Sequence, residues 1–163
     1  MKRVLFYSLL TVQSVILVIL GIQYYLIDDY GTEITLLKDE YMDRMPYSDH
    51  VYVDYEINFI SKDNWEVTED LERNERVYVL LEADESGIYH VKKVTNKKIS
   101  PNQEQQTVLK GKYQYYNNYD HLRPAYYYVT YGIENMKYNR DTLNEHAITI
   151  KQSPWGELKV MEN

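Results

Sequence analysis

A chain of 163 residues with 25 acidic and 18 basic side chains has a formal charge of −7, and it contains no cysteine. An acidic chain is repelled by phosphate backbones, which argues against nucleic-acid binding, and without cysteine there is neither a disulfide framework nor a thiol nucleophile. Tyrosine dominates the aromatic residues, 19 against 2 Phe and 2 Trp, which suits strands that bury a ring and wet a hydroxyl.

In chain order, the first element is an apolar run over residues 4–27, VLFYSLLTVQSVILVILGIQYYLI, with no charged side chain. As a helix it spans roughly 36 Å at about 1.5 Å per residue, enough to cross a hydrocarbon core. Tyr24 and Tyr25 stand where interfacial aromatics are expected. The run is longer than the apolar core of a cleaved signal, and no small-residue cleavage site follows it. Residues 1–29 are therefore expected to be an uncleaved anchor in the cytoplasmic membrane. Lys2 and Arg3 precede the span and Asp28 and Asp29 follow it, which orients the N-terminus to the cytoplasm and residues 30–163 to the outside. Without Lys2 and Arg3, 16 basic residues face 25 acidic ones, so the part after the span, residues 28–163, carries −9. With so little chain before the span, a signal is expected to cross only through the span or a partner.

The outer segment reads as mainly β. Residues 32–45 fit a helix, with Ile34, Leu37, Tyr41 and Met45 on one stripe, or a short strand over 33–37. Residues 50–60 alternate, with Val51, Val53, Tyr55, Ile57 and Phe59 on one face, which predicts one half-buried strand. Residues 64–75 are charged, with Trp65, Val67 and Leu71 as possible contacts, and predict a short helix or a loop. Residues 76–82 are more continuously apolar and predict a central strand. Asp84-Glu85-Ser86-Gly87 is a turn that returns the chain over 88–94 as a hairpin. Residues 95–105 read as a loop. Residues 106–116 predict a strand in which Gly111 marks a bulge or a close backbone approach. Pro124 precedes a strand over 125–133. Residues 147–152 and 157–161 flank Ser153-Pro154-Trp155-Gly156, a type I turn closing a terminal hairpin. The expected fold is a transmembrane helix followed by a small antiparallel sheet or barrel-like domain with at most one or two short helices.

Chemistry is sparse. No serine lies in a G-x-S-x-G context, and no glycine-rich phosphate loop occurs. His50, His90, His121 and His146 are isolated. The oxygen-rich stretches 82–87 and 117–120 lack the ligand spacing of a calcium loop. No catalytic residue, metal or cofactor is expected. The unusual local feature is a tyrosine row: Tyr113, Tyr115, Tyr116, Tyr119, Tyr126, Tyr127, Tyr128 and Tyr131. Regular alternation puts Tyr113 and Tyr115 on the face of Thr107, Leu109 and Gly111, and sets Tyr126 and Tyr128 opposite Tyr127 and Val129. One face is then wet or covered by something else, which makes it a candidate docking surface.

Residues 48–55, Ser-Asp-His-Val-Tyr-Val-Asp-Tyr, resemble the motif of the membrane-anchored bacterial GDYXXLXY family. Asp49 and Tyr55 match it, and Val53 replaces its leucine. Glu56-Ile57, residues 77–82 (VYVLLE), Leu109-Lys110-Gly111 and residues 131–134 (YGIE) follow in the family's order. Tyr41-Met42-Asp43-Arg44 and Asn139-Arg140-Asp141 depart from it. The resemblance favours the strand at 33–37. It implies an anchored protein with no established catalysis, often paired with a polytopic membrane protein.

The leading expectation is an accessory domain that docks such a partner or another envelope component. The alternative is a cell-wall or glycan binder. An enzyme using Asp49 and Glu134 as paired carboxylates is the least supported. The candidate contact residues are Asp49, Tyr55, Tyr127, Tyr131 and Glu134.

Overall fold

The computed structural model describes residues 2–39, 50–51, 53–118, 124–133, 138–139 and 146–161. The apolar run forms one helix, α1 (Lys2–Tyr30), long and apolar enough to cross a bilayer. From Phe6 to Ile22 its large apolar side chains project into the surroundings. Its hydroxyls are satisfied within the helix: Thr11 Oγ1 donates to the Tyr7 carbonyl at 2.9 Å and Ser14 Oγ to the Leu10 carbonyl at 3.0 Å. A span in lipid requires this, because hydrocarbon offers no partner.

Gly31 turns the helix into the first strand. Its N–H donates to the Ile27 carbonyl at 2.9 Å. A Cβ at this position would collide with that carbonyl and lie 3.1 Å from Lys151 Cβ, so only glycine passes without displacement.

The strands that follow are β1 (Thr32–Leu37), β2 (His50–Val51), β3 (Phe59–Ser61), β4 (Arg76–Ala83), β5 (Tyr89–Thr95), β6 (Gln106–Asn117), β7 (Tyr126–Thr130), β8 (Tyr138–Asn139), β9 (Ala147–Gln152) and β10 (Leu158–Val160). They build a three-stranded sheet β1-β9-β10, a pair β2-β8 and a five-stranded sheet β3-β7-β6-β4-β5, with antiparallel ladders throughout. The two larger sheets close toward a barrel. On one side a bridge joins Thr35 to Ile88. On the other, β7 covers only residues 112–117 of β6, and Gln152 stands in for a strand on the remaining edge. Its Nε2 donates to the Val108 carbonyl at 2.9 Å, and its Oε1 accepts from Thr107 Oγ1 at 2.8 Å. Closure removes bare edges that would otherwise pair with other chains.

The core lies between the sheets. Ile34 and Leu36 of β1 and Val77, Val79 and Leu81 of β4 belong to one buried cluster, each set at alternate positions, as period two requires. The β4–β5 turn is held by Asp84, whose Oδ1 accepts from Ser86 N–H at 2.8 Å, Ser86 Oγ at 2.6 Å and Ile88 N–H at 3.0 Å. These donors, the Ser86 hydroxyl first, hold its carboxyl down at about 2. Gly87 completes the turn at φ +82°.

The mainly β architecture behind one N-terminal helix agrees with the sequence reading, and so do the hairpin of β4 and β5 and the terminal hairpin. Residues 32–37 are a strand, as the family resemblance favours. Residues 64–75 take the loop alternative: after a 3₁₀ turn (Lys62–Asn64), Trp65, Val67 and Leu71 pack on the core from an irregular stretch. Two elements differ. Residues 50–60 are not one strand: a 3₁₀ turn (Glu56–Asn58) separates β2 from β3. The turn shifts the phase, so that Ile57 and Ile60 are buried while Phe59 is half-exposed. The strand expected over 125–133 ends at Thr130, just before Gly132 at φ +90°.

Candidate functional site

The tyrosine row converges where the second half of β6 meets β7. The two strands pair Lys112 with Thr130 and Tyr113 with Val129, then Tyr115 with Tyr128, Tyr116 with Tyr127 and Asn117 with Tyr126. One residue, Gln114, is extra. It forms a bulge, which offsets the alternation by one. Its side chain fixes the bulge in place, donating to Thr130 Oγ1 at 3.0 Å and Asn74 Oδ1 at 3.2 Å and accepting from Arg73 Nε at 3.2 Å.

The bulge divides the tyrosines. On the core side, Tyr127 stacks flat on Trp65 at 4.1 Å and 7°. Tyr113 leans on Trp65 at 5.7 Å, and Tyr116 on Tyr127 at 4.7 Å. Burial pushes the Tyr113 phenol above its ordinary range. On the far side, Tyr115 stacks on Tyr128 at 5.1 Å and 17°. Phe59 meets Tyr126 edge-on at 5.1 Å and Tyr128 at 5.3 Å. Offset and edge-on pairs are the favourable aromatic arrangements. Tyr113 and Tyr115 thus lie on opposite faces, against the sequence expectation, because that expectation assumed a regular strand.

The hydroxyls are placed as well. Tyr128 OH donates to Asp54 Oδ1 at 2.6 Å, and Asn117 Nδ2 donates to Tyr126 OH at 3.1 Å. Beneath the cluster, Asn58 is wholly buried. Its Oδ1 accepts from Tyr55 N–H at 2.7 Å and its Nδ2 donates to the Val129 carbonyl at 2.7 Å, tying the 3₁₀ turn to β7.

Tyr115 and Tyr116, at 45% and 41% exposure, are the only strongly exposed large hydrophobic side chains among the described residues outside α1. Adjacent in sequence, they point to opposite sides at the rim of the two aromatic clusters. Beyond Lys112 the other side of β6 has no strand partner among the described residues, and along this edge the two form a wet aromatic ledge with one ring on each face, each backed by a packed ring.

Of the five candidate residues, Asp49 and Glu134 lie outside the described residues. Tyr55 is completely buried and fills the core beside the bridge to Lys38. Tyr127 is half-buried under the Trp65 stack. Tyr131 donates its hydroxyl to the Ile57 carbonyl at 2.8 Å and lies against the open flank of Gly111. The structure brings Tyr127 to the ledge beside Tyr116, leaves Tyr131 further back along β6 at Gly111, and places Tyr55 inside the core. Asp54, Phe59 and Asn58 had no sequence signal as partners of the tyrosines, because long stretches of chain separate them from β7. Tyr115 and Tyr116 stood in the row, and only the bulge distinguishes them.

No group of three or more metal-ligating side chains occurs among the described residues. A shallow open depression beside Leu80 is lined by Lys92, Lys93, Glu66 and Gln106. Its charges are mutually engaged: Lys92 contacts Glu82 at 2.6 Å and Lys93 contacts Glu66 at 3.4 Å. Hydrogen bonds from Lys92 and then Gln106 hold the Glu82 carboxyl below its ordinary range.

No curated protein and no solved structure matches the chain. The family described as GDYXXLXY protein matches it over residues 13–161. Within the motif segment, Val53 and Tyr55 are both wholly buried, so at these positions the motif marks core packing. From within the helix through the terminal hairpin, this chain belongs to the GDYXXLXY protein family.

Proposed function

We propose that this protein is a membrane-anchored, outward-facing accessory domain that docks a protein partner in the cell envelope through the aromatic ledge at Tyr115 and Tyr116. The observation that carries the reading is the pairing of exposure with rigidity. Two adjacent tyrosines are exposed at 45% and 41%, and each rests on a ring beneath it. Pre-stacked aromatics lose little freedom on binding, and aromatic anchors recur at the centres of protein interfaces. The ledge also stands clear of the anchor. Thr107 sits beside Gln152 at the end of the small sheet, and Tyr115 follows about 27 Å along β6. That distance suits a partner with its own extracytoplasmic surface. The charge orientation around α1 supports placing the domain outside.

The test is crosslinking in intact cells with a photoreactive residue at the exposed position 118, next to the ledge, then recovery through a C-terminal tag and mass spectrometry. One dominant membrane protein is expected, lost in the double variant Tyr115→Ser, Tyr116→Ser while the domain stays folded. Recovery of the bait alone, with the fold intact, overturns the docking reading.

A second reading has its own support. Tyr115 and Tyr128 make a flat platform, and Asp54 is fixed next to it by the Tyr128 hydroxyl. An aromatic plane beside a carboxylate suits sugar rings, whose apolar faces stack while their hydroxyls donate. Retention of the purified protein on peptidoglycan, lost in Tyr115→Ser, would favour this reading over the first.

A further inference from the structure

The exit of α1 is bound to one face of the small sheet. The registers of β1, β9 and β10 set Glu33, Lys151 and Lys159 in a row across that sheet. Both lysines reach the last turn of the helix. Lys159 Nζ contacts the two carboxylate oxygens of Asp28 at 2.7 Å each, and Lys151 Nζ donates to the Asp28 carbonyl at 2.8 Å. Cations at a helix C-terminus satisfy its orphan carbonyls and oppose its dipole. Ile27, the last apolar residue of the run, is only 3% exposed. Pairing already begins at Thr32, so little slack separates the span from the sheet. The small sheet is held at the level where the apolar run ends.

Because β9 runs antiparallel to β1 and ends opposite Thr32, the turn after it projects beyond the start of β1, beside the helix exit. That turn carries Pro154 and Trp155. It is rigid: Gly156 N–H donates to the Ser153 carbonyl at 2.9 Å, and Ser153 N–H to the Glu157 carbonyl at 2.8 Å. Lys110 Nζ donates to the Trp155 carbonyl at 3.2 Å, and Trp155 Nε1 donates to Glu157 Oε2 at 3.0 Å. The indole is half-exposed. Tyr25 and Tyr30, on the final turns of α1, are 73% and 69% exposed.

We propose that the turn between β9 and β10, led by Trp155, is a second membrane contact, seated in the headgroup layer beside the exit of α1. The inference rests on reading α1 as a membrane span. An indole with an apolar body and a satisfied N–H suits that layer, and with Tyr25 and Tyr30 it makes an aromatic belt on the outer side. Lys151 and Lys159 are matched by Glu33 and Asp28, and Lys110 is engaged by the Trp155 carbonyl. The contact is therefore aromatic and does not require anionic lipid. Two points of attachment, helix and turn, fix the tilt of the domain and hence the direction in which the ledge faces.

The test uses the full chain reconstituted into phosphatidylcholine vesicles, with and without lipid brominated high in the acyl chain. Trp65→Phe leaves Trp155 as the sole tryptophan, and Trp155→Phe leaves Trp65, which is stacked on Tyr127 in the large sheet. Brominated lipid is expected to quench Trp155 emission, which is also blue-shifted on reconstitution, and to leave Trp65 emission unchanged. If Trp65→Phe fails to fold by circular dichroism, the quenching lost between the natural chain and Trp155→Phe gives the same reading. Trp155 quenched no more than Trp65, in protein that floats with the vesicles, overturns the contact alone. Protein that does not float overturns both the span and the contact.

Discussion

Tyr113 and Tyr115 stand two residues apart on one strand and meet opposite surroundings. The first is packed against Trp65 and Tyr127, with its phenol pushed up by burial. The second lies on the far side of the sheet, stacked on Tyr128 and 45% exposed. The same side chain therefore does two jobs, core filling and surface display, and a single inserted residue decides which. A bulge costs one ladder position and re-aims every side chain beyond it. Here Gln114 recovers part of that cost through its own hydrogen bonds.

The comparison can be broken most severely from beneath. Asn58→Ala leaves the Tyr55 N–H and the Val129 carbonyl buried without their partners, so a loss of about 3 kcal/mol is expected. Urea unfolding of the full chain in detergent measures it. A loss under about 1 kcal/mol would mean that the 3₁₀ turn does not hold β7.

The two faces are separated most directly by paired truncations. Tyr127→Ala removes a ring stacked between Trp65 and Tyr116 and is expected to cost about 2–3 kcal/mol. Tyr115→Ala removes a half-wet ring and is expected to cost about 0.5–1 kcal/mol by the same measurement. Equal costs would abolish the distinction between core and display. Between them in size stands Gly111→Ala. Its Cβ would strike Val129 Cγ1 and come within 3.2 Å of Tyr131 Cε1, and overpacking of this kind costs about 1–2 kcal/mol. An unchanged unfolding midpoint would show that β6 and β7 can part at no cost.

The smallest effect is a control remote from both faces. The Asp84 carboxyl is held at about 2 in the folded protein, below its value in an unfolded chain, so the folded state binds fewer protons. Its contribution is complete above the ordinary aspartate range and is lost as pH falls through that range toward 2. In Asp84→Asn the acid limb of the stability profile should flatten over that window. An identical slope in the variant would refute the assignment.

Much of the fold was legible in the sequence because it rests on local periodicity. The alternation of Val77, Val79 and Leu81, the turn at Asp84 to Gly87 and the turn at Ser153 to Gly156 each state their geometry within a few residues. Gly111 announced a close approach, and the structure supplies it as the flank of Val129 and Tyr131. The bulge itself lies further along, at Gln114, where the sequence carries no glycine to mark it. The candidate site was legible only as a region. Tyr55 matched a family motif and read as a contact residue, yet a match cannot tell a ring that packs from a ring that binds.

By itself the sequence determined the apolar helix, the acidic β-rich domain behind it and the positions of most turns, since these depend on hydrophobic length and short-range pattern. Only the tertiary structure decided which tyrosines face water, that Asn58 bridges the 3₁₀ turn and β7, and that Lys151 and Lys159 hold the end of the helix against the small sheet. Each of these joins residues far apart in the chain, and their register is set by a bulge and by ladder pairing. Both are long-range packing choices, and no local window of sequence encodes them.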